Sequence, residues 1–298
     1  MAEHISFFDA IERNKRNSVL LIASMFVIFL AAVAALSYAF DIGYCGLAMG
    51  FLFLLMYTVI VFYSGDGIIL ALSNAKEAKK EDYPFLYDVV EGLALASQIP
   101  MPKVYVIEDR SPNAFATGRD PQHASVAVTT GLLSMMKREE LEGVLAHEMS
   151  HVANFDIRFA MIAVVFAGAI ALLGEFGWRF MRFGLVGGGG RRDRGGGGAL
   201  VFIALVFVIL APIFAQIVRL ALSREREYLA DANGARMTRY PEGLASALEK
   251  IKNASIPTAA ASDTTASLYF SNPFPHKFGF LGSTHPPIDE RIKRLRSM

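Results

Sequence analysis

Two long uncharged runs at the start of the chain, residues 18–40 and 43–63, constrain everything that follows. Each is close to the roughly 20 residues a helix needs to cross a hydrocarbon core. The first is too long for the core of a signal peptide and is therefore expected to be a retained anchor. Arg13, Lys15 and Arg16 precede it, while the short loop between the runs holds only Asp41. That asymmetry puts the N-terminus, and the chain after Tyr63, on the cytoplasmic side. A hairpin buried in a large soluble domain is the alternative, but two adjacent runs of this length favour spanning helices. The 53% hydrophobic content agrees with a chain partly in lipid.

A second pair of runs is less clean. Residues 159–174 carry no charge before Glu175, and residues 199–218 contain Pro212, which should kink a helix, and Gln216. Between them lies the low-complexity connector GGGGRRDRGGGG, residues 187–198. Its arginines, with Arg179 and Arg182, oppose a fully outward loop, so either a complete crossing or a partial entry is compatible with this pair. The chain therefore divides into a transmembrane hairpin (1–63), a first catalytic part (64–158), a membrane-associated pair (159–222) and a second catalytic part (223–298). In residues 64–158, helical spacing predicts helices over 82–98 and 137–155, and alternation predicts strands over 103–107, 115–117 and 125–129. The fold class is α+β and mostly helical, a polytopic membrane protein with a small mixed sheet. Residues 223–298 look largely helical, interrupted by a polar stretch over 253–267.

Charge is nearly balanced, 29 basic against 28 acidic residues, and the soluble parts show no basic stripe with interleaved aromatics. Nucleic acid is not an expected partner. The single cysteine, Cys45, lies in an apolar run and is a poor thiol nucleophile.

The helix over 137–155 carries His147-Glu148-Met149-Ser150-His151. Histidines four apart share a helical face and can bind one zinc ion (Zn2+) per chain. Glu148, beside the first of them, is placed to take a proton from the attacking water and pass it to the departing amine. Such a site needs a third protein ligand. A histidine six residues after His151 would make the metzincin pattern, but position 157 is isoleucine. Glu227 is the alternative, with Asp231 four residues on and able to orient a ligand histidine. A solvated charged face formed by Arg224, Glu225, Arg226 and Glu227 is the competing explanation, and the histidine pair tips the choice towards the ligand. A shared ion also requires an even number of crossings between His151 and Glu227, two or none.

These residues resemble the HtpX-type integral membrane metalloproteases of bacteria, relatives of the CaaX prenyl proteases. The resemblance rests on the two N-terminal runs, Asn113-Ala114-Phe115-Ala116-Thr117-Gly118-Arg119, and the histidine helix continued through Val152-Ala153-Asn154. It extends over residues 223–231, Ser271-Asn272-Pro273-Phe274 and Ser283-Thr284-His285-Pro286-Pro287. It implies a gluzincin-like zinc endopeptidase of the bacterial inner membrane, facing the cytoplasm and cleaving damaged or misassembled membrane proteins under stress. It also implies His147, His151 and Glu227 as ligands and Glu148 as general base. The glycine–arginine connector departs from that pattern.

Two assignments go further. Asn113, Ala114, Phe115 and Ala116 are candidates for an edge strand that receives an extended substrate, or for an ordinary paired strand. His285 is a candidate oxyanion donor, or a turn cap before two prolines. Asn154 and Asp156 could support a ligand histidine from behind, but read most simply as helix-end polar residues. The rival functions are a transporter, which should leave ionisable groups in several spans, and a chaperone-like module with a non-proteolytic zinc site, which would not need Glu148.

Overall fold

The computed structural model describes residues 7–39, 43–168, 224–262, 265–274 and 286–298. The second half of the later apolar pair, the glycine–arginine connector and His285 lie outside the described residues.

Helices α1 (Phe7–Ala39) and α2 (Gly43–Leu72) form the hairpin. Both are long and apolar enough to cross a membrane. They outrun the apolar runs: α1 starts well before residue 18, and α2 continues beyond Tyr63 through Asp66 to Leu72. At 30 residues, α2 is about 45 Å long, longer than a hydrocarbon core of about 30 Å. Its last turns, with Ile69 and Leu70, pack in the same core as Ile107, Phe115 and Ala127 of the sheet.

The sheet has the order β1-β2-β4-β3, with β1 Lys76–Glu77, β2 Lys103–Ile107, β3 Ala114–Gly118 and β4 Ala124–Thr129. It is mixed, since β2 pairs parallel with β4 while β1/β2 and β3/β4 are antiparallel. Gly118 ends β3 with φ +143, a value L side chains avoid, and a Cβ there would sit 2.3 Å from the His123 carbonyl oxygen.

Residue alternation divides the sheet between two cores. Val104, Val106, Ala114, Ala116, Val126 and Val128 pack into one with α3 (Pro84–Ser97) and α5 (Arg138–Ala153). Tyr105, Ile107, Phe115 and Ala127 face the other, which holds Met25 of α1 and Val61 and Ile69 of α2. That second core also contains Met161 to Phe166 of α6 (Asp156–Gly168), which leaves α5 through a bend of 84°. Phe155, in the left-handed region at φ 60, makes that bend. The short α4 (Thr130–Met135) is capped by the Thr129 hydroxyl, which accepts from the Leu132 N–H.

Helix α5 is buried almost throughout, crossed by α7 (Arg224–Thr238) and α8 (Pro241–Ala254). Small residues allow the close approach. A Cβ on Gly143 would lie 2.6 Å from the Leu244 nitrogen of α8, and one on Gly234 of α7 would lie 3.1 Å from the His147 nitrogen. The start of α5 is fixed by Glu140, whose carboxylate accepts from the Lys137 N–H, the Ser246 hydroxyl and Lys250. Helix α9 (Ile288–Leu295) closes the molecule against α7 and α8.

Candidate metal centre and its surroundings

His147 and His151 project from one face of α5, and Glu227 meets them from the first turn of α7. The two Nε2 atoms are 3.2 Å apart, and the Glu227 carboxylate oxygens lie 3.7 Å from His147 Nε2 and 3.5 Å from His151 Nε2. Tetrahedral zinc with bonds of about 2.1 Å separates its ligands by roughly 3.4 Å. The three donors therefore match the spacing that such an ion requires, and they form a group able to hold a metal.

Each imidazole is held from behind. His147 Nδ1 lies 2.9 Å from Asp231 Oδ1, and His151 Nδ1 lies 3.0 Å from Asp156 Oδ2. Bonding at Nδ1 leaves Nε2 with its lone pair facing the other donors. Asp156, which sequence pattern assigns to a helix end, thus starts α6 and supports His151. Helix α5 ends just before it, so the 84° bend returns Asp156 towards the histidine that it follows.

Arg291 completes the back of the site. It is 1% exposed and forks onto Asp231, with Nε 2.9 Å from Oδ2 and Nη2 2.7 Å from Oδ1. Its guanidinium also lies over the Phe270 ring, 4.9 Å from the centroid. Burial alone would raise the Asp231 carboxyl, but Arg291 and His147 overcome this and hold it at about 2. Sequence reasoning missed Arg291. The signal was the apolar stripe Ile288, Ile292, Leu295, within which an arginine sits at a core-facing position.

Glu148 points into the same cleft and is 3% exposed. Burial pushes its carboxyl up to about 7, with His151 pulling down and Glu227 pushing up. It accepts a hydrogen bond from the Ala116 N–H of β3. A carboxyl near neutrality can both take and return a proton.

The candidate substrate strand divides in two. Asn113 is buried structure: its Nδ2 donates to Thr258 Oγ1 and to the Ser271 carbonyl, and its Oδ1 accepts from the Ser271 N–H. The Ala114 carbonyl accepts from the Phe270 N–H at 2.7 Å, and the Phe115 ring packs edge-on to Tyr269 in the second core. Ala116 alone of the four borders the cleft. The Thr129 N–H donates to the Asn113 carbonyl, so by alternation Ala114, Ala116 and Gly118 turn their backbone groups away from β4. Residues Ser267 to Phe270, which run alongside β3 at Ala114, also line the cleft.

Among known proteins, residues 78–298 match Peptidase family M48. The chain is 46% identical over 294 residues to a protein named Protease HtpX homolog from Dictyoglomus thermophilum, covering 98% of this chain and 95% of that one. It is 46% identical over 295 residues to another so named from Thermoanaerobacter pseudethanolicus, covering 98% of each. Among solved structures it resembles S. mikatae Ste24p, with a TM-score of 0.47 and 20% identity over 96% of this chain and 66% of that one. With two apolar helices long enough to span a bilayer and a family match over most of its length, the chain belongs to peptidase family M48 and, within it, to the HtpX-type membrane proteases.

Proposed function

We propose that the chain is a zinc endopeptidase whose ion is held by His147, His151 and Glu227 and whose general base is Glu148. The observation that carries this reading is the convergence of three donors, His147 and Glu227 buried and His151 partly so, all within 4.8 Å of one another, beside a buried carboxyl raised to about 7. Bound zinc supplies Lewis acidity towards the scissile carbonyl and an acidified water. Glu148 takes the proton from that water and delivers it to the departing amine nitrogen. Asp231 and Asp156 keep both imidazoles presenting Nε2. The outward carbonyl of Ala116, whose N–H is held by Glu148, and the backbone groups of Gly118 pair with an extended substrate, whose side chains are read little, which suits varied sequences. His285, outside the described residues, is the proposed oxyanion donor.

The substrates we assign are misfolded or damaged membrane proteins, cut at the cytoplasmic surface of the bacterial inner membrane. Support comes from the charge asymmetry of the hairpin and from the second core, which joins the sheet beneath the site to α1 and α2. The test is cleavage of casein by zinc-free protein with zinc added back, comparing wild type with Glu148→Gln. Cleavage confined to the zinc-loaded wild type is expected, and equal cleavage by the two overturns the mechanism. Protease protection of a tag at either end in oriented membranes tests the sidedness.

A further inference from the structure

The support of His151 does not end at Asp156. Asn14 of the anchor helix α1 is 4% exposed, and its Nδ2 donates to Asp156 Oδ1 at 2.7 Å and to the Asn154 carbonyl at 2.9 Å. The other Asp156 oxygen receives His151 Nδ1 at 3.0 Å. One carboxylate thus bridges an amide on the first membrane helix and an imidazole at the metal site. The next residue of α1, Lys15, sits 4.4 Å from the centroid of the Phe155 ring, within the bend that brings Asp156 round. Arg226 approaches the same carboxylate at 3.5 Å from the α7 side.

The geometry points to Asn14 as a positioning residue of the metal centre: through Asp156 it fixes the rotamer of His151, making the anchor helix part of the metal-holding structure. Asn14 touches neither substrate nor ion. A carboxylate with two lone-pair-bearing oxygens needs both ends fixed to hold a ring in one orientation. His151 Nδ1–H fixes one end, and Asn14 supplies a neutral donor at the other from an element more than a hundred residues away in sequence. A chain whose α1 is undocked keeps its three ligands but loses the order of one of them.

This inference rests on the zinc reading of the site, and the experiment separates the two. Full-length protein in detergent is titrated with zinc against a chromogenic chelator, and its cobalt-substituted form is followed by visible absorption. Removing a carboxylate that orients a ligand histidine weakens metal binding by about tenfold to a hundredfold, which is the expectation for Asp156→Ala. Asn14→Ala, one bond further out, is expected to weaken it by about threefold to tenfold, with altered cobalt bands. In the Asp156→Ala background, Asn14→Ala should add little, because coupled residues are not additive. Asn14→Asp preserves shape and volume but replaces the donor with a carboxylate facing Asp156 and should weaken zinc at least as much, and the circular dichroism of each variant establishes that it has folded. Lys15→Ala, which removes the neighbouring contact with Phe155 and leaves the Asn14–Asp156 bond in place, should leave zinc affinity close to wild type.

Wild-type affinity and cobalt bands in both Asn14 variants overturn the inference, as does full additivity with Asp156→Ala or an equal loss in Lys15→Ala. Wild-type protein that binds no zinc overturns the reading of the site itself.

Discussion

Arg291 and Asp231 form a two-toothed ion pair behind His147, Nε to Oδ2 at 2.9 Å and Nη2 to Oδ1 at 2.7 Å, both side chains fully enclosed. A lysine cannot reproduce that fork. Arg291→Lys is therefore expected to fold but to bind zinc about tenfold more weakly, since Asp231 is then free to turn away from His147. Arg291→Ala strands a buried carboxylate and should cost about 3–5 kcal/mol. Chelator competition and thermal melting of the two variants check this; unchanged zinc affinity in Arg291→Lys refutes it.

The α5–α8 crossing depends on the missing side chain of Gly143. Gly143→Ala would drive a Cβ to 2.6 Å from a backbone nitrogen, so the helices must part, at a cost of about 1–3 kcal/mol. Gly92 lies exposed on α3 with nothing within 4 Å of its Cβ direction. Gly92→Ala should be neutral or stabilising by up to about 1 kcal/mol. Comparing their melting temperatures separates packing from helix propensity.

Acid stability has a local contributor in Glu140. Burial acts to raise its carboxyl, but Lys250, the Lys137 N–H and Ser246 outweigh it and hold the group below its usual 4.5. The folded state thus favours the charged form. Its contribution is complete above the unfolded pKa and is lost as pH falls through the lower folded value. Wild type should exceed Glu140→Gln in stability at pH 7, with the gap closing below about pH 4.5. A gap that stays constant to pH 3 contradicts this.

Metal removal should be visible in the melt. A ligand at a thousandfold excess over its dissociation constant stabilises the folded state by about 4 kcal/mol. A strong chelator is expected to lower the melting temperature of wild type and to leave Glu227→Ala nearly unchanged. Equal shifts in both would move the third ligand elsewhere.

Much of the architecture is visible in local pattern, for reasons that particular elements illustrate. Strand β2 follows the alternation of residues 103–107 because its two faces enter two apolar cores. Helix α3 starts at Pro84, where the missing N–H costs nothing. The two-residue β1 has no periodicity to detect, and α2 continues past its apolar run because helix geometry does not stop where lipid does. At the site, the spacing of His147, His151, Glu227 and Asp231 is itself a helical period. Arg291 and Asn14 were hidden, and Asp156 could be read as a helix end as easily as a support for a ligand, for the opposite reason. Their partners lie on other elements, and a polar residue looks the same in sequence whether it meets water or a buried carboxylate.

The sheet that separates the two cores also limits how this protease can be handled. The segment matching the peptidase family begins at residue 78, which suggests cutting the chain just after α2. Such a fragment would present Ile107, Phe115 and Ala127 to water, with Phe159 and Met161 to Phe166 stripped of their partners on α1 and α2. A patch of that kind drives self-association. A soluble preparation therefore calls for new polar residues on that face or for a surrogate helix pair, and truncation alone should yield aggregates.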